Sequence, residues 1–259
     1  VRTTLVRRTV LTASAVSLVL LATACGSSDK ADAKAGSAST SAAAPSPSPS
    51  RAAKAKTDAE LGGLILAQAD LPEHVFKPVD PEEVKAGEET TTDKPACLPL
   101  ARAQSVTVTG TPVGSARVSV VAKPKGAGAD ATAEEKAKAG MDALGSTVTA
   151  VLLESYEGDG AEKALASLKS SGSACASGYT VGEGADSVKV VKVGPGAPVA
   201  AGDEALAYTI ALDLDGTPTA TELSFVRKGN VLAVFSSLSL SGPAEQPRDV
   251  ITAQVKKLG

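Results

Sequence analysis

Three long runs of alternating side chains near the C-terminus constrain the fold most. They are Ala205 to Leu214, Thr219 to Arg227 and Val231 to Leu240, with turn sequences Asp215-Gly216-Thr217-Pro218 and Lys228-Gly229-Asn230 between them. A period of two is that of a strand, and Gly with Asp or Asn between such runs marks tight hairpins. Tight turns join antiparallel strands, whereas parallel strands need long crossovers. The last third therefore reads as an antiparallel meander.

Upstream strand signals extend the sheet. Arg117 to Val121 places Val118 and Val120 on one face, and Ser105 to Thr109 does the same with Val106 and Val108. Thr147 to Tyr156 is apolar on both faces, with Val148, Ala150 and Leu152 on one and Val151 and Leu153 on the other. Such a strand belongs in the middle of a sheet. Ser187 to Val193 alternates again. Helical spacing appears at Leu61, Leu64, Ile65 and Gln68, with Asp58 as the expected cap and Asp70-Leu71-Pro72 as the stop. Ala133 to Leu144 is a helix with a thin apolar face. Asp159-Gly160-Ala161-Glu162 reads as a capping box ahead of the stripe Ala161, Ala164, Leu165 and Leu168, with Gly172 as the closing residue. A last helix is expected from Gly242-Pro243, burying Val250, Ile251, Val255 and Leu258. The stretch up to Thr92 reads as irregular, Pro95 to Pro99 as a constrained loop and Lys123 to Asp130 as a Gly/Lys loop. The fold class is α+β: an antiparallel sheet ending in the meander, with two or three helices packed on it.

The opening segment has a different character. Arg2, Arg7 and Arg8 precede an apolar run from Thr9 to Ala24 that is too short and Thr/Ser-rich for a membrane span. A basic start, a short apolar stretch and small residues after it describe a secretory signal. Leu21-Ala22-Thr23-Ala24-Cys25-Gly26 resembles the bacterial lipobox, whose Cys is acylated before cleavage, although Leu stands one place earlier than is usual. The expected organisation is 1–24 signal peptide, 25–57 lipidated Cys25 and linker, and 58–259 a single extracytoplasmic domain. The linker holds no large apolar residue and cannot bury enough surface to stay folded. Its Pro45-Ser46-Pro47-Ser48-Pro49-Ser50 run stiffens a tether that, as a coil, spans on the order of 30 Å. The expected location is the outer face of the cytoplasmic membrane, lipid-anchored and exposed to the cell wall.

Composition narrows the function classes. Removing the three arginines of the signal takes the formal charge from −3 to −6. No basic cluster exists beyond Lys256-Lys257, so nucleic acid is not an expected partner. With no Trp, three Phe and three Tyr, aromatic stacking platforms are scarce. Once Cys25 carries lipid, Cys97 and Cys175 are an even pair, which in an oxidising compartment reads as a disulfide. A reactive thiol or metal pair lacks support, since there is no CxxC and the only His is His74, read as a surface or loop residue.

No P-loop, dinucleotide or nucleophile-elbow motif is present, and no catalytic residue, metal site or cofactor is assigned. Asp213, Asp215, Gly216 and Glu222 match four EF-hand positions, but Ala211 cannot ligate and the flanks are strands, so a β-turn is the reading.

Several short landmarks then occur in order: Cys25, Ala69-Asp70-Leu71-Pro72, the unit from Val151 through Cys175 to Gly178-Tyr179, Gly202-Asp203-Glu204-Ala205, Val226 to Val231, and Ala253 to Leu258. On these the chain resembles actinobacterial lipoproteins with a PknH-like extracellular sensor-type domain. The resemblance implies a ligand-sensing module with a cleft between sheet and helices. No kinase accompanies it, so coupling to phosphorylation does not carry over. The expectation is a membrane-anchored, non-catalytic module binding a small molecule, a lipid or an envelope protein. Gly202, Asp203 and Glu204, with the Cys97 loop, are the expected cleft rim. A carrier of apolar lipids and a cell-wall hydrolase are the alternatives.

Overall fold

The meander forms as its pattern requires. The structure is a computed structural model, and it describes residues 54–123, 130–144, 146–184, 187–214, 216–239 and 244–259. The signal segment, Cys25, the linker to Ala53 and most of the Gly/Lys loop lie outside the described residues. The helices are α1 (Asp58–Leu64), α2 (Pro81–Glu88), α3 (Leu98–Gln104), α4 (Ala133–Leu144), α5 (Gly160–Ala174) and α6 (Arg248–Leu258). The strands are β1 (His74–Lys77), β2 (Gly114–Ala122), β3 (Val148–Ser155), β4 (Tyr179–Val181), β5 (Val188–Pro195), β6 (Glu204–Leu214), β7 (Thr217–Lys228) and β8 (Val231–Leu238). They make one eight-stranded sheet in the order β1-β2-β3-β8-β7-β6-β5-β4, antiparallel throughout. The meander is thus one half of the sheet. Its last strand pairs with β3, which lies centrally between β2 and β8, as its two-sided apolar pattern predicts.

Helices cover both faces. On one, α3 and α5 pack Leu100, Leu165 and Leu168 against Leu152, Leu223, Phe225 and Val234. On the other, α1 and α6 pack Leu61, Val250 and Ile251 against Val118, Val151, Val226 and Phe235. Each fully buried Leu or Phe contributes about 1.5–3 kcal/mol of transfer free energy, so these two layers hold the sheet. Six α-helices are described, more than the two or three expected, and four of them flank the sheet.

Cys97 and Cys175 form a disulfide, with Cα atoms 5.8 Å apart. It joins the residue just before α3 to the one just after α5. Pro95 to Pro99 is not a loop: a turn of 3-10 helix, Pro95–Cys97, runs into α3. Proline sits early in both, where its missing N–H is no loss.

Other expectations are corrected. Thr57, not Asp58, caps α1, in a reciprocal box with Glu60, while Asp58 accepts from Ser115 N at 2.6 Å. The helix stops at Leu64, ahead of Asp70, because α6 takes the backbone groups that follow. The supposedly irregular stretch holds β1 and α2, the latter started by Asp80, whose side chain accepts from Glu82 N, and by Pro81. Asp159 makes no capping bond; its carboxylate pairs with Lys163 at 2.9 Å. The helix continues past Gly172, which is buried against the Tyr208 ring. The last helix starts at Arg248, later than Gly242-Pro243, which lie outside the described residues. Asp213 accepts from Gly216 N at 2.7 Å in the β6–β7 turn, and Glu222 sits well along β7 opposite Thr209, so the EF-hand-like fragment is a hairpin.

Candidate ligand-binding cleft

The largest departure from the sequence pattern makes the site. The alternation of Ser105 to Thr109 predicts a strand, yet the segment pairs with no strand. Thr107 and Thr109 are buried, and Val106 is the one described non-glycine residue with positive φ, at 44°. A β-branched residue there is strained and must be held by its surroundings. Side chains from the sheet do so. Arg117 on β2 donates from Nε to Val106 O at 2.8 Å. Glu154 on β3 accepts from Thr109 N, and Tyr156 donates its hydroxyl to Thr109 O at 2.6 Å. Thr109 therefore spends its backbone groups on two side chains rather than on a ladder.

Glu154 is wholly inaccessible to solvent. Burial pushes its carboxyl up to about 8, opposed by the Thr109 amide, the Tyr156 hydroxyl and the Arg117 charge. At neutral pH the carboxyl is mostly protonated. Burial together with the neighbouring Glu154 raises the Tyr156 phenol, and burial lowers the Arg117 guanidinium. Glu154 Oε2 and Thr109 Oγ1 are both buried without a well-aligned partner, although the Tyr156 hydroxyl is near enough to interact with the carboxyl. Buried polar atoms of this kind are uncommon and costly.

On the outer side of this arrangement lies a cleft of about 450 Å³ between the 109–113 segment and the start of α5. Thr109, Gly110, Val113, Tyr156, Asp159 and Lys163 are among its walls. Val113 is 52% exposed, a large apolar side chain facing solvent at the cleft. The cleft is thus apolar in its lining, with a paired acid and base at the rim and buried polar groups behind, in the size range of small-molecule sites.

Gly202, Asp203 and Glu204 sit elsewhere. They enter β6, where Asp203 and Glu204 surround the mostly buried Arg227 at 3.5 and 3.9 Å, with Glu162 of α5 at 3.8 Å. Asp203 also accepts from Gly229 N at 2.6 Å, closing the β7–β8 turn against the start of β6. These residues lie near the start of α5 and the disulfide lies at its end. A rise of 1.5 Å per residue separates them by about 20 Å, so they do not share a rim with the Cys97 segment. None of them lines the clefts described here.

His74 is not a loop residue on the surface. It lies in β1 with its side chain 11% exposed, and its Nε2 is 3.1 Å from Asp249 of α6. It borders a second cleft of about 320 Å³ with Thr147, Gln246 and Asp249. Among the described residues no group of three or more His, Cys, Asp or Glu is placed to hold a metal ion. No described helix is long and apolar enough to cross a membrane.

No family model matches the chain, and no curated protein matches it. Among solved structures it is similar to the extracellular domain of PknH from Mycobacterium tuberculosis. The match has 12% identity and a TM-score of 0.42, and covers 79% of this chain and 97% of that one. It is a distant structural resemblance.

Proposed function

We propose that this chain is a cell-envelope lipoprotein held at the membrane through Cys25, and that its domain is a non-catalytic module that binds a small molecule in the cleft beside Thr109. The cleft carries the reading. It is preformed, is walled by a segment fixed from behind, and adjoins two buried polar atoms that the protein leaves without aligned partners. The disulfide supports export, since such bonds persist in oxidising compartments. The lipobox-like sequence at Cys25 supports the anchor. The carrier reading has less support, because buried side chains pack both faces of the sheet and the clefts described open at the surface.

The test is native mass spectrometry of the full chain released from membranes in mild detergent. Val113→Arg and Ser167→Arg fill the cleft from exposed positions without touching the core. A stoichiometric bound molecule that both variants lose supports the site. A bound molecule that both retain overturns it. If neither a molecule nor a crosslinked partner on intact cells is found, the binding-module reading falls.

A further inference from the structure

The wall of the cleft is held by side chains, one of them a buried carboxyl whose charge depends on a proton. Between Val106 and Val113, the fixing bonds described above come from Arg117, Glu154 and Tyr156. Farther along, Val113 N donates to Ser155 O at 2.7 Å and rejoins the sheet. Glu154 is therefore the middle fastener, with its carboxyl on the buried side of Thr109 and the cleft on the other.

A neutral carboxyl suits that position. It accepts from Thr109 N through one oxygen, and its O–H can turn to Tyr156 Oη or Thr109 Oγ1, both acceptors. A carboxylate would accept more strongly from Thr109 N and from either hydroxyl, but it places a charge where no water reaches, and burial outweighs those bonds. The groups around it compensate only in part. Arg117 faces it from β2, but is itself half-buried and is shared with Glu88 of α2 and Asp58 of α1. Asp159, just ahead of α5, and Lys163 in its first turns face the cleft and pair with each other. The 107–113 segment carries no charge, and Leu232, the β8 partner of Glu154, is apolar.

We propose that Glu154 is a proton-operated latch on the cleft wall: protonated, it holds the 106–113 segment closed on the sheet; ionised, it releases the segment and opens the cleft from behind. The strained backbone at Val106 adds to the gain in solvation that an ionised carboxyl obtains when the segment opens. The carboxyl titrates near 8, so the latch responds just above neutrality. The consequence for ligand rests on the cleft being a binding site; the latch itself does not.

Hydrogen exchange read by mass spectrometry on the full chain in detergent micelles tests this, with rates corrected for the intrinsic effect of pH. An open-state carboxyl near 4.5 and a closed one near 8 make opening about 100-fold more favourable at pH 9 than at pH 6. Protection of peptides covering 106–113 should fall toward that extent, while peptides of β8 hold steady. Glu154→Gln, isosteric and unable to ionise, should show no such dependence. Equal corrected protection at both pH values in the unaltered protein, or the same loss in Glu154→Gln, overturns the latch. A carbon-13 titration of the glutamate carboxyls in the unaltered protein needs no variant. One resonance titrating well above the others supports the proposal, and all titrating near 4.5 refutes it. Neither readout involves ligand, so a cleft that binds nothing and a latch that fails give different results.

Discussion

Gln254 and Leu66 meet inside the domain across 188 positions of chain. The Gln254 side chain accepts from Leu66 N at 3.0 Å and donates to Leu64 O at 2.9 Å. It is fully buried in the middle of α6. Lys257, one turn on, donates to Ile65 O at 2.8 Å and pairs with Asp70 at 2.7 Å. The last helix thus supplies the groups that end the first. Gln254→Leu leaves two backbone groups buried and unpaired, and should cost about 2–4 kcal/mol, read from urea unfolding.

Gly172 is placed by Tyr208. A Cβ at position 172 would run into the Tyr208 ring, which also packs edge-on against Phe225 at 6.4 Å. Gly172→Ala should destabilise the domain by about 1–3 kcal/mol. Combining it with Tyr208→Leu should recover part of that loss, and a double-mutant cycle measures the coupling.

The Cys97–Cys175 bond closes a separation of 78 residues. Chain-entropy reasoning assigns it about 4–5 kcal/mol. Replacing both cysteines by Ala should lower the urea midpoint accordingly. An unchanged midpoint would mean that the helices α3 and α5 hold each other without it.

Glu154 should also leave a mark on overall stability. Its folded pKa is raised above the unfolded value, so its contribution is complete below about 4.5 and is lost as pH rises through about 8. Between those values the contribution of this group falls steadily as pH rises. Stability curves from pH 5 to 9 should therefore be steeper for the unaltered chain than for Glu154→Gln.

Cys25→Ser should move the protein from the membrane fraction to the soluble phase without changing the folded domain. Metabolic labelling with an acyl precursor should mark the unaltered chain and not the variant. Labelling of both would place the lipid elsewhere.

Local order was legible where side chains repeat with a clear period. The meander, the central β3 and the α5 stripe Ala161, Ala164, Leu165 and Leu168 were all readable, because burial on one face or two imposes that period. The Asp80-Pro81 start of α2 carried a helix signal in an acidic stretch that masked it. β1 and β4, four and three residues long, are too short for periodicity to show.

The candidate cleft was not legible. Val106 and Val108 alternate like a strand, and Arg117 on β2 with Glu154 and Tyr156, at the end of β3 and just after it, decide that the backbone turns away. Sequence by itself determined the fold class, the sheet's meander and centre, and the cysteine pairing, since these follow from short-range pattern and counting. Tertiary structure alone decided that Glu154 is buried behind Thr109, that Asp203 and Glu204 surround Arg227, and that Gln254 closes α1. Each of those depends on which distant residue arrives to satisfy a buried polar group, and no local pattern encodes that partner.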